Sequence, residues 1–286
     1  EAVGLDVYVL GGETEEGISD EVRVFDTGQR TWRRAASKPT PVGEVTAAEL
    51  FGEIYVPGGR LADGTLTDIV EAYSPSQDAW RRLAPLPQPL AGGLTIADSG
   101  FLYVFGGRND DGPLDAAYVY DPSADSWRPV APLPEPRTGA TGGALTGRLY
   151  VVGGSDGNTS QRTCFAYAPA RDEWADCPEM LLPRAGAGAT VLLNKLYVIG
   201  GTEPAGSQAA SLEGHGEVLD PNSGIWTVLN LPPELDQWTE PGVTHVETRI
   251  YALGGRRGEQ LSDATLIYLP LAFQTYIPAA PSDAEE

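Results

Sequence analysis

The chain has 286 residues, with 19 basic against 40 acidic side chains, a net charge of −21 and a pI near 4.3. A field of that sign repels phosphate backbones and anionic lipid headgroups, which excludes nucleic acid and direct membrane-surface binding. No apolar stretch is long enough to span a bilayer, and the 35 Gly and 24 Pro recur at fixed places between apolar runs, as turn residues do.

Taken in order, the chain repeats a Gly-Gly doublet at Gly11/Gly12, Gly58/Gly59, Gly106/Gly107, Gly153/Gly154, Gly200/Gly201 and Gly254/Gly255. Each doublet closes a short apolar run containing Tyr: DVYVLGG, EIYVPGG, FLYVFGG, RLYVVGG, KLYVIGG and RIYALGG. The spacings of 47, 48, 47, 47 and 54 residues are those of a repeated supersecondary unit. The runs are too short and too β-branched for helices. They are apolar on both faces, as a strand sandwiched between neighbouring sheets must be. The glycines end the strand, since a residue without Cβ tolerates positive φ and close approach. The space they leave is expected to hold a tryptophan from an outer strand. Trp32, Trp80, Trp127, Trp174 and Trp226 follow the doublets by 20, 21, 20, 20 and 25 residues, and the sixth copy offers Phe273 or Tyr276 in that place.

This layout resembles the kelch repeat, in which each copy forms one four-stranded blade. The resemblance implies an all-β fold, a six-bladed β-propeller of four-stranded antiparallel blades in one domain over residues 1–277. Residues 278–286 are an acidic Pro/Ala tail. The first repeat spans residues 1–36, and only Glu1 to Val3 remain of its innermost strand. The rest of that strand is expected upstream of the numbering or from another segment that closes the ring. The second to sixth repeats run from about Pro39, Pro87, Pro134, Leu182 and Pro241. Pro129 and Pro178, soon after the Trp, suit an outermost edge strand.

The two cysteines carry a register signal. With the turn between Tyr167 and Trp174 as the centre of a hairpin, Cys164 falls opposite Cys177. A cross-strand disulfide in an oxidising compartment is one reading; two buried thiols in a cytosolic protein is the other. The register favours the first, and with it an extracytoplasmic location.

Loops after the doublets and the Pro-rich connections between repeats are expected on one face, where Arg60, Arg108 and Arg256 directly follow a doublet and Arg137 and Arg184 stand in PRTG and PRAG. Guanidinium forks there suit an anionic ligand. The alternative is pairing with loop acids such as Asp63, Asp110, Asp111 and Glu259. The fifth repeat adds a longer loop ending in LEGHGE and an extended connection with Trp238, which either stacks on a ligand or packs as a lid. Glu213, His215 and Glu217 alternate along the chain without forming a specific metal or general-base signature. His245 is expected on an innermost strand near the central channel. Asp20, Asp68, Asp115 and Asp263 recur after the doublets and are expected to hold backbone donors through their side chains.

No nucleophile elbow, P-loop or zinc-protease motif occurs. No cofactor, metal or catalytic residue is expected. The first functional expectation is a non-enzymatic module that binds another protein through the loop face, as a subunit of a larger extracytoplasmic assembly. The second is a carbohydrate-binding propeller for an anionic sugar, similar to the kelch-type sialic acid mutarotases, using the five arginines, His215 and Trp238.

Overall fold

The structure is a computed structural model that describes residues 1–202, 216–232, 238–258 and 260–270. Among the described residues there is no helix; the elements are antiparallel strands that follow one another sheet by sheet. The first sheet holds β1 (Ala2–Val3), β2 (Asp6–Thr14), β3 (Gly17–Asp26) and β4 (Thr31–Ala35), and the second β5 (Ala48–Leu50), β6 (Glu53–Pro57), β7 (Val70–Ser74) and β8 (Ala79–Arg82). The third contains β9 (Ala91–Asp98), β10 (Phe101–Asn109), β11 (Gly112–Pro113), β12 (Ala117–Asp121) and β13 (Ser126–Pro129), with β11 a short addition at the end of β10. Then come β14 (Thr141–Leu145), β15 (Arg148–Val152), β16 (Cys164–Ala168) and β17 (Glu173–Cys177), followed by β18 (Ala185–Leu192), β19 (Lys195–Thr202), β20 (Gly216–Asp220) and β21 (Ile225–Leu229). In the last region β23 (Gly242–Val246), β24 (Arg249–Leu253) and β27 (Thr265–Tyr268) pair with one another. Beside them β22 (Trp238–Thr239), β25 (Arg256–Arg257) and β26 (Gln260–Leu261) form a small sheet. The aromatic substitutes expected at Phe273 and Tyr276, and the acidic tail, lie outside the described residues.

The core is divided among the seams between successive sheets. Tyr8 and Val24 meet Ile54 and Tyr73 at the first seam, and Leu83 and Leu90 meet Leu102 and Tyr120 at the second. Phe105 and Val119 pack with Leu149 and Tyr167, Val152 and Cys164 with Leu196 and Trp226, and Tyr197 and Ile199 with Trp238 and Ile250. A last cluster of Val246, Tyr251 and Leu253 returns to Val7 of β2, so the sheets close on themselves. The first strands β5, β9, β14, β18 and β23 contact one another in series, and β23 reaches β1, which places these strands innermost. Burial on both faces explains why the second strand of each sheet reads as a continuous apolar run.

The doublets are explained at these seams by a carbonyl. A Cβ on Gly58 would stand 2.6 Å from the carbonyl oxygen of Leu90, and one on Gly200 2.5 Å from that of Trp238. At Gly106 and Gly153 the oxygens of Arg137 and Arg184 come closer still. The second glycine donates its N–H to the same oxygen: Gly59 to Leu90 at 2.8 Å, Gly107 to Arg137 at 2.7 Å and Gly154 to Arg184 at 2.7 Å. The space near the doublet is therefore filled by the backbone of the next connection, where a tryptophan had been expected.

The tryptophans work at the outer end of the seam. Trp80, Trp127 and Trp174 donate their indole N–H to the carbonyls of Ala36, Ala84 and Ala131 in the preceding connection, at 2.8, 2.9 and 2.8 Å. The N–H groups of the same alanines go to Asp78, Asp125 and Asp172, each of which also accepts a tyrosine hydroxyl, from Tyr73, Tyr120 and Tyr167. Trp226 bonds Pro178 in the same way, but proline has no N–H to offer; Gly224 and Leu219 stand where those three sheets have Asp and Tyr. The recurrent Asp20, Asp68 and Asp115 accept through their backbone carbonyls, from Lys38, Leu86 and Leu133.

Cys164 and Cys177 are directly opposed on β16 and β17, with Cα atoms 5.1 Å apart and a disulfide between them.

Two outcomes follow from the seams. Gly106→Ala meets both a φ of +66° and the Arg137 carbonyl, and should cost about 3 kcal/mol or more; Gly147→Ala, at φ +73° with open space around it, should cost only about 1 kcal/mol in urea unfolding. Hydrogen bonds hold the carboxyls of Asp78, Asp125 and Asp172 below the usual aspartate range: the Tyr73 hydroxyl and then the Ala36 amide for Asp78, the Ala84 amide and then the Tyr120 hydroxyl for Asp125, and the Ala131 amide and then the Tyr167 hydroxyl for Asp172. Their stabilisation is complete above the unfolded value of about 3.9 and is lost as pH falls through the lower folded values. Replacing all three with Asn should flatten the acid limb of the urea-midpoint-against-pH curve; an unchanged slope below pH 4 would refute it.

Candidate functional site

The loops after the doublets and the connections entering the first strands adjoin at one end of the ring. Gly43 and Arg60 exchange backbone hydrogen bonds at 2.9 Å each, as do Thr138 and Ser155 at 3.0 and 2.8 Å. Fourteen residues before each doublet of repeats two to six stand Glu44, Gly92, Gly139, Gly186 and Glu240, all with left-handed backbone at φ 53°, 64°, 61°, 65° and 55°. They form a belt. Gly92 donates its N–H to Glu44, Gly139 to Gly92, Gly186 to Gly139 and Glu240 to Gly186, over 2.6–2.9 Å. Left-handed φ favours glycine, yet two members are glutamate, on either side of the first sheet.

Around these two glutamates the charges alternate. The residue after each doublet is Glu13, Arg60, Arg108, Ser155, Thr202 or Arg256. Arg60 donates to Glu44 at 2.5 Å and also binds Glu13. Arg108 forks onto Glu44 at 2.7 and 3.0 Å, and Arg256 reaches the other oxygen of Glu13 at 3.2 Å. The result is a chain Arg108–Glu44–Arg60–Glu13–Arg256 across four sheets, with the arginines between a quarter and a third exposed. The hydrogen bond it donates to Glu44 holds the Arg60 guanidinium charged more firmly. Glu240 stands beside it, open to the mouth but ringed by protein. That desolvation pushes its carboxyl above the usual range; Glu13 and Glu44 add to the shift, and Arg256 and Arg60 oppose it.

The other arginines expected on this face are committed elsewhere. Arg137 is buried over the Phe165 ring and donates to Glu135 at 2.5 Å and Thr163 at 2.6 Å. Arg184 is buried too, donating to Glu217 at 3.0 Å and to the Gly200 carbonyl at 2.8 Å. Glu217 also accepts the amides of Leu181 and Leu182, so of the Glu213, His215 and Glu217 alternation this member faces the interior. Glu213 and His215 lie outside the described residues. Trp238 is 1% exposed and donates to the Gly254 carbonyl at 2.6 Å, which leaves its ring no face for a ligand. Its place is that of Val42, Leu90, Arg137 and Arg184, sixteen residues before a doublet, all buried. His245 lies on β23 with Nδ1 2.9 Å from the Thr190 hydroxyl, and burial pulls its pKa down. The acidic partners of Arg60, Arg108 and Arg256 are Glu13 and Glu44, and every pair except Arg60–Glu44 joins different repeats; the loop acids Asp63, Asp110 and Asp111 do not pair with them.

Comparison with known proteins bears on this arrangement. The family described as the KLHDC2/KLHL20/DRC7 Kelch-repeats domain matches residues 1–201, well over half of the chain. The chain belongs to the kelch-repeat family. A single Kelch motif matches residues 183–230 as well. Among curated proteins, the F-box/kelch-repeat protein At4g19870 of Arabidopsis thaliana is 38% identical over 58 residues, which is 20% of this chain and 14% of that protein. The chain thus spans a small part of that relative's length. The solved structure of YjhT superposes with a TM-score of 0.78 at 17% identity, covering 93% of this kelch chain and 92% of that one, a likeness of fold.

The raised Glu240 carboxyl sets a testable sign. Ionising it in the folded state is disfavoured, so the penalty is present at neutral pH and vanishes below the unfolded value of about 4.3. Glu240→Gln should raise the urea midpoint at pH 7 and leave it unchanged near pH 3.5; a lowered midpoint at pH 7 would show that the carboxylate stabilises the mouth.

Proposed function

We propose that this chain is a non-enzymatic protein-interaction module, a six-bladed propeller over residues 1–277 that recognises another protein at the mouth formed by Glu13, Glu44, Glu240, Arg60, Arg108 and Arg256. The observation that carries the reading is the pair of glutamates at left-handed positions where the equivalent residues are glycine, Glu44 bonded to Arg60 and Arg108 and Glu240 in the field of Arg256 and Arg60. Formal charge there is balanced, three arginines against three glutamates. A balanced, prearranged set of forks and carboxylates exchanges partners with the polar groups of a protein surface and holds them in register. A free anion would meet guanidinium groups already neutralised. Kelch membership supports the interaction role, and the Cys164–Cys177 disulfide supports an extracytoplasmic, oxidising setting.

The test is affinity capture from the native source with quantitative mass spectrometry. Wild type is compared with Arg60→Gln/Arg108→Gln and with Arg81→Gln, whose arginine pairs with Glu53 away from the mouth. A specific partner should drop at least tenfold with the mouth variant and not with Arg81→Gln, at matched melting temperatures; equal capture by all three would end the proposal. Titration calorimetry with sialic acid is the parallel arm. Saturable heat that Arg256→Ala removes would move the assignment to an anionic sugar.

A further inference from the structure

At the opposite end of the ring, the turns between first and second strands carry an apolar patch that the fold does not require. The first residue of each turn is left-handed: Gly4, Phe51, Ser99, Thr146, Leu193 and Glu247, at φ between 51° and 62°. Glycine and small polar residues suit such turns; phenylalanine is poorly suited. Phe51 is nevertheless there, 74% exposed. Its ring packs toward the next turn, where a Cβ on Gly100 would lie 3.3 Å from the ring's Cζ, and the following residue is the exposed Phe101. Leu5 is exposed on the corresponding turn of the first sheet. Each of these side chains leaves apolar surface in water, and Phe51 adds backbone strain, while the seams already contain the core.

The charges beside the patch are one-sided. Asp6 and Glu53 pair with Arg33 and Arg81. Glu49 accepts the Gly52 amide and Asp98 the Ser99 hydroxyl, and neither has a basic partner among the described residues. The corresponding turns further round carry Arg148, Lys195 and Arg249, so the acidic, aromatic character belongs to the first three repeats.

We infer that this patch is a second docking surface, for a segment of a partner protein in which an apolar anchor is flanked by Lys or Arg. The anchor would cover Phe51 and Phe101, and the basic flanks would meet Glu49 and Asp98. This surface is separate from the arginine mouth, and either assignment can fail without the other. A second copy of the chain would set like charges against each other, and anionic lipid would be repelled.

The experiment uses the full chain and a displayed library of random twelve-residue peptides, selected on wild type and counter-selected on Phe51→Ser/Phe101→Gln. Because Ser99 occupies the position of Phe51 in the next sheet, Phe51→Ser should fold with an unchanged or higher melting temperature. Enriched peptides should carry an aromatic or leucine residue between basic ones. They should lose at least tenfold in affinity on Phe51→Ser and, separately, on Glu49→Lys/Asp98→Lys, while Arg60→Gln binds them normally. Peptides without basic flanks, or no peptide that distinguishes wild type from Phe51→Ser, would overturn the inference. So would a wild-type dimer in sedimentation that Phe51→Ser dissolves, or co-sedimentation with phosphatidylserine vesicles that Phe51→Ser abolishes.

Discussion

The interaction on which the structure depends is a backbone one: at the doublets Gly58/Gly59, Gly106/Gly107 and Gly153/Gly154, a single carbonyl from the next connection is held between the two glycines of the preceding sheet. The first glycine makes room for the oxygen and the second binds it, as Gly106 and Gly107 do for Arg137 and Gly153 and Gly154 for Arg184. Side chains decide almost nothing at that point, so the connecting residue can be Leu90, Arg137, Arg184 or Trp238 without changing the path of the chain. What the contact fixes is where the next residue after the doublet emerges. Arg60 and Arg108 stand at the mouth because they follow this seam immediately.

A second set of contacts holds the outer edge, with a different chemistry and more tolerance. Asp, Tyr and Trp together satisfy both polar groups of one alanine peptide, at Ala36, Ala84 and Ala131. When the alanine becomes Pro178, the donor disappears and the aspartate and tyrosine are absent with it, while the tryptophan bond persists. The pattern follows the cost of leaving an amide unpaired at a half-buried position. Where there is no amide, the residues that would satisfy it are dispensable.

These relations explain what could be read in the sequence. The strands, their order and the Cys164–Cys177 pairing are local regularities, set by a period of about 47 residues and by the two-residue alternation of a hairpin. The partners of the arginines are not local. Glu44 lies 64 residues from Arg108, and Glu13 lies 243 residues from Arg256; only ring closure brings the latter pair together. One signal lies in column position alone: counting back from the doublets puts Glu44 and Glu240 in the column of Gly92, Gly139 and Gly186, and Trp238 in the column of Arg137 and Arg184. Read by residue type, Trp238 is an anomaly that invites a ligand. Its column makes it a buried connection residue.

The belt linking Glu44, Gly92, Gly139, Gly186 and Glu240 has one more consequence. Every hydrogen bond in it runs in the same sense, from the amide of one repeat to the carbonyl of the one before. Peptide dipoles arranged head to tail around an axis point along the circumference, and their components along the axis largely cancel. Such an arc directs no pole along the axis toward an approaching molecule, unlike a helix end. The potential over the opening is therefore left to a handful of balanced side chains, and exchanging a single glutamate or arginine there tips it to one sign while the scaffold stays as it is.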